Sequence, residues 1–266
     1  MKRIATLLTT VAALGLAVSA FATPTPNGVT TKTYIFGDCS PPFSTLTTTN
    51  LYPALFQYSD NHLCTTGFAN LHTWTFSADG GATEAVFNNI DAFRFGADFT
   101  LDGRGEGGIR LSPWWSQHVD GRINVKSDGG TGEIACFGGY LPFYSFTGSN
   151  GLHYTGGVIH LEMIYKSNSN TVLDPGTVEY VVKYQGTSYV SGPLACGPKN
   201  PLDPPHGDWG IEDDARVGGI LQPYIGPTAP GAGPGTTAGT WENIFFTTLP
   251  TASKNSTWGR LKSLYR

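Results

Sequence analysis

From Phe93 onward, the apolar residues of this chain return at every second position. Phe93, Phe95, Ala97 and Phe99 alternate with Arg94, Gly96, Asp98 and Thr100. Ile109 and Leu111 alternate with Arg110 and Ser112, Ile123 and Val125 with Arg122, Asn124 and Lys126, and Ile159, Leu161 and Met163 with His160, Glu162 and Ile164. A period of two is that of a strand with one face in a core and the other in water. No comparable stretch carries a period of 3.6. Gly, Pro, Asn and Asp bound each run, as at Asp102-Gly103-Arg104-Gly105, Asp128-Gly129-Gly130, the polar loop from Lys166 to Pro175, and Tyr184-Gln185-Gly186-Thr187. Further runs lie at Thr177 to Tyr184, Ser188 to Ser191, Val217 to Tyr224 and Trp241 to Thr248. About ten short strands at this spacing predict an all-β fold, a sandwich or a barrel, of which an antiparallel two-sheet β-sandwich is the expected form. The turn at Asp102 to Gly105 reads as a hairpin. Thr23 to Thr31 reads as a loose lead, and Gly226 to Gly239 as a flexible connection.

The chain begins with Lys2 and Arg3, an uncharged and mostly apolar run from Ile4 to Ala20, and Ala20-Phe21-Ala22. This is the pattern of a bacterial-type export signal. The expected division is a signal peptide over 1–22, one sandwich domain over 23–250, and a short tail over 251–266 that could form a helix. No later run is apolar enough to span a bilayer. The expected location is outside the cell or on its surface, with the periplasm as the alternative. The net charge is −4, and losing Lys2 and Arg3 takes it to −6, which disfavours a nucleic-acid partner. Charged residues are only 14% of the chain, so its surface must be built largely from Thr, Ser, Asn and Gly. Cys39, Cys64, Cys136 and Cys196 make an even count, which in an exported chain favours two disulfides. Proximity in sequence favours Cys39–Cys64 and Cys136–Cys196.

Three segments resemble the concanavalin A-like lectin/glucanase superfamily. DAFRFGADFTLDGRGEGGIRLSPWW resembles an aromatic-rich strand pair. VIHLEMIYKSNSNTVLDPGTVEYVVKYQGTSYVSG resembles its three-strand meander, and TWENIFFTTL its closing strand. The resemblance implies a jelly-roll sandwich, on which lectins, laminin G-like modules, glucanases and polysaccharide lyases are all built. The laminarinase-type run of alternating carboxylates is absent. So is the lyase-type Gln-x-His, although His160-Leu161-Glu162 occupies a similar strand.

The polar side of the alternation supplies the candidate site. Arg94, Arg110, Trp114, Arg122 and Asn124 are the candidate ligand-binding residues, on the expectation that they share a face. Tryptophan offers a ring to the C–H face of a sugar, and polar groups around it fix orientation. If the chain is an enzyme, His160 and Glu162, two residues apart on one strand, are its acid/base pair, with Glu133 as a second carboxylate. Asp208, Asp213 and Asp214 are candidate ligands for Ca²⁺, and no other cofactor is indicated. The reading that follows is a secreted or cell-surface protein that recognises a glycan without an evident catalytic motif. The alternatives are a polysaccharide hydrolase or lyase on the same scaffold, and a structural or adhesion component of the cell surface.

Overall fold

A computed structural model describes residues 23–35, 44–62, 69–112, 121–127, 130–139, 141–198, 209–225 and 235–251. The expected signal peptide, Cys39, Cys64, Trp114, Asp208 and nearly all of the expected tail lie outside these residues. The described chain is an all-β antiparallel sandwich, because its strands divide between two sheets instead of closing into one. One sheet has seven strands in the order β1 (Gly28–Tyr34), β4 (Leu71–Ser77), β14 (Arg216–Pro223), β6 (Gly105–Ser112), β7 (Arg122–Ser127), β8 (Ile134–Phe137) and β9 (Tyr144–Ser145). The other has eight. Seven run in the order β12 (Thr187–Val190), β11 (Thr177–Tyr184), β10 (Ile159–Lys166), β5 (Phe93–Asp102), β15 (Gly235–Thr248), β3 (Leu55–His62) and β2 (Thr45–Leu51), and β13 (Leu194–Ala195) pairs with β11. One helical turn, α1 (Phe146–Asn150), is capped by Ser145, whose side chain accepts from the Gly148 amide.

The core is the meeting of the inward residues. Phe93, Phe95, Ala97 and Phe99 of β5 and Ile159, Leu161, Met163 and Tyr165 of β10 are fully buried. At the centre, Trp241 of β15 packs against Phe99 at 5.1 Å and against Trp74 of β4 at 5.9 Å between ring centroids. Its indole Nε1 donates to the Gly108 carbonyl of β6 at 2.9 Å, a bond from one sheet to the other. Glycines make room for these rings: a Cβ at Gly219 would stand 2.2 Å from Nε1 of Trp74. No helix among the described residues is long and apolar enough to cross a membrane.

Several sequence expectations need correction. Asp102 to Gly105 is not a hairpin, because β5 and β6 belong to different sheets. The turn carries the chain across the sandwich edge, and the Arg104 carbonyl at its bend accepts from the Tyr224 amide and the Thr237 hydroxyl. The lead from Thr23 enters β1 at Gly28, which pairs with β4, and Gly235 to Gly239 already belong to β15. By contrast, Gln185 and Gly186 both take positive φ, 51° and 78°, as a two-residue hairpin of type I′ requires.

The expected Cys136–Cys196 disulfide is also corrected. Both are free thiols, 0% and 2% exposed. Cys136 follows Ile134 at the inward position of β8 and serves as a small apolar core residue. Burial pushes the Cys196 thiol up to about 12 and the Cys136 thiol well above its ordinary value. Neither should react with iodoacetamide in the native protein near pH 8, and both should react after denaturation without reductant. A requirement for reductant would contradict this.

Candidate functional site

The residues expected to share one polar face divide between two. Arg94 and Asp98 of β5 and His160 and Glu162 of β10 lie on the outer face of the eight-stranded sheet. Arg110 of β6 and Arg122 and Asn124 of β7 lie on the outer face of the seven-stranded sheet, across the core. Alternation tells which side of a strand is polar but not to which sheet the strand belongs.

The seven-stranded face is closed at its centre. Arg110 is 0% and Asn124 2% exposed. Arg110 donates to the hydroxyls of Ser112 and Thr75, and desolvation lowers its pKa to about 10. Arg122 donates to Gln222 at 3.1 Å and Glu106 at 3.2 Å and lies over the ring of Phe137. These bonds hold Arg110 and Arg122 to neighbours in their own sheet, and Arg110, Arg122 and Asn124 stand across the core from Arg94, His160 and Glu162.

On the eight-stranded face the polar side chains of neighbouring strands meet, with Arg94 exposed and Glu162 buried among them. The register of β10 on β5 sets His160 opposite Asp98 and Glu162 opposite Gly96. Nδ1 of His160 stands 2.7 Å from Oδ1 of Asp98 and, facing an acceptor-only carboxylate, carries the proton. Nε2 faces Oε2 of Glu162 at 3.6 Å, beyond hydrogen-bond distance, and Nη1 of Arg94 stands 3.7 Å from Oε1 of the same carboxylate.

The third strand of the site is β15. Its pairing with β5 slips between Glu242 and Phe245, and Asn243 in that bulge takes φ 51°. Such bulges re-aim side chains. Here Nδ2 of Asn243 donates to Oδ2 of Asp98 at 2.8 Å, and the Phe245 ring lies parallel to His160 with Arg94 5.6 Å from its centroid. The bulge is anchored from behind, where the amides of Asn243 and Ile244 donate to the carbonyls of Ala54 and Pro53. A Cβ at Gly96 would stand 2.8 Å from the Phe245 ring, so only glycine lets the ring settle there. Asn243 and Phe245 escaped the sequence reading. Their trace is the broken alternation of Trp241-Glu242-Asn243-Ile244-Phe245-Phe246, where three apolar residues follow one another.

The Glu162 carboxylate raises the pKa of His160 above its ordinary value, partial burial opposes it, and Asp98 raises it further. A raised folded-state value means that the charged imidazole stabilises the fold below the unfolded pKa, and that this contribution is lost as pH rises through the folded pKa. The melting-temperature advantage of the wild type over His160→Gln should therefore be larger near pH 5.5 than near pH 8.5, on either side of the ordinary imidazole value of about 6.5. An equal difference at both would contradict the charged cluster.

Glu133 does not join His160 and Glu162. It precedes β8 on the other sheet, where its carbonyl accepts from the Lys126 amide. Asp213 accepts from the Asn89 amide, and the Asp214 carbonyl from Arg216. Among the described residues, no group of three His, Cys, Asp or Glu is arranged to hold a metal ion. No protein-family model matches the chain, and no curated protein matches it.

Proposed function

We propose that this chain is an exported or cell-surface protein that recognises carbohydrate, without cleaving it, through the outer face of its eight-stranded sheet. The observation that carries the reading is the bulge in β15, which brings Asn243 and Phe245 onto Arg94, Asp98 and His160. A carboxylate and an amide fixed against each other are the groups that address paired sugar hydroxyls. An aromatic ring held flat beside an arginine adds an apolar surface and a positive charge. The non-catalytic form is favoured because both imidazole nitrogens are turned toward carboxylates of the protein and the second carboxylate, Glu133, sits on the other sheet. The two-sheet architecture suits the concanavalin A-like resemblance, and the leader supports export. Mature protein on an array of plant, algal and bacterial glycans should show saturable binding to a defined subset. Silence across all three classes, or release of reducing ends from a bound polysaccharide, would overturn the proposal.

A further inference from the structure

The described sandwich has four sheet edges. β9 has two residues and β12 four, too short to recruit a partner strand. β1 carries Lys32, which pairs with Glu84. β2 differs from all three. It is seven residues long, Thr-Leu-Thr-Thr-Thr-Asn-Leu, with no charge and no proline, and its register on β3 runs without a slip from Thr45 to Leu51. Thr45, Thr47, Thr48, Asn50 and Leu51 are exposed. Natural sheets blunt such edges with lysine, proline, a bulge or shortness, and β2 has none of these.

We propose that β2 pairs antiparallel with the β2 of a second copy of this chain, about a two-fold axis through Thr48. In that register the strand meets itself with faces matched and without opposed charges. Thr48 meets Thr48, Thr47 meets Thr49, Leu46 meets Asn50 and Thr45 meets Leu51. Outward residues meet outward residues, no like charges oppose each other, and threonine pairs are among the favourable cross-strand neighbours. A second copy satisfies all these conditions, whereas an unrelated strand has no feature of β2 to recognise beyond its backbone. The axis stands perpendicular to the sheet, so the two eight-stranded sheets become one and their outer faces point the same way. If the proposed glycan site is correct, the pair presents two sites to one surface and gains avidity. The pairing itself does not depend on that reading.

Sedimentation of the mature protein between about 1 and 100 µM, the range in which small interfaces associate, should show its mass double. The double variant Thr47→Lys with Thr49→Lys, which sets lysine against lysine across the axis, should remain a monomer with an unchanged melting temperature. Under mild oxidation Thr48→Cys should give a covalent dimer, while the wild type and Thr45→Cys should not, since only position 48 meets itself across the axis. A wild type monomeric throughout, a dimer that survives both lysines, or crosslinking at position 45 in preference to 48 would overturn the proposal. Glycan binding by the monomeric lysine variant keeps failure of the pairing distinct from failure of the site.

Discussion

Trp241→Ala should destabilise the protein by about 4 kcal/mol, the range for removing a large buried aromatic. Trp241 is 0% exposed and sits where β15, β5, β3 and β4 converge, in contact with Phe56, Tyr58, Trp74 and Phe99. Its loss opens a cavity between the sheets and also strands the Gly108 carbonyl, which accepts from Nε1. For a chain of this length the melting temperature should fall by roughly 8 to 16 °C. Trp241→Phe keeps much of the apolar volume but still strands the carbonyl, so it should cost less, about 1–3 kcal/mol. Calorimetry on the three proteins checks both the size and the order. A loss below about 1 kcal/mol for the alanine variant would mean that the sheets do not depend on this contact.

The second large effect concerns recognition. Asp98 has two roles: one oxygen holds His160 and the other holds Asn243. Asp98→Ala should reduce affinity for any bound glycan by about ten- to a hundred-fold, the equivalent of about 1.5–3 kcal/mol for charge-assisted hydrogen bonds. Its side chain points out of the core, so the fall in melting temperature should be limited to the share of the His160 cluster, and smaller near pH 8.5 than near pH 5.5. Arg122→Ala is the matched control. It removes an equally polar arginine from the opposite face and should leave affinity unchanged. Loss of binding in Arg122→Ala with retention in Asp98→Ala would place the site on the seven-stranded sheet instead.

These contrasts also show where the sequence was legible. β5, β10 and β11 follow directly from their alternation, and the same parity places His160 and Glu162 on one face. Two-residue spacing is a local property, however, and sheet membership is not. Arg94 and Arg110 lie on strands consecutive in sequence, yet the turn at Gly103 sends those strands to opposite sheets. Its Asp-Gly signature is shared by hairpins and crossovers, and only the distant partners of Arg104, Tyr224 and Thr237, decide between them. The site was half legible for a related reason. A bulge reverses the parity of the residues after it, so alternation conceals Phe245 on the outer face. The cysteine count pointed to disulfides, whereas the inward position of Cys136 beside Ile134 already marked it as core.

Hydrogen exchange of the protein with and without a glycan it binds tests the central claim most directly. The account predicts new protection in β5, β10 and the bulge of β15 around Asp98, His160 and Asn243, with β6 and β7 unchanged. Protection confined to β6 and β7, around Arg110, Arg122 and Asn124, would contradict it.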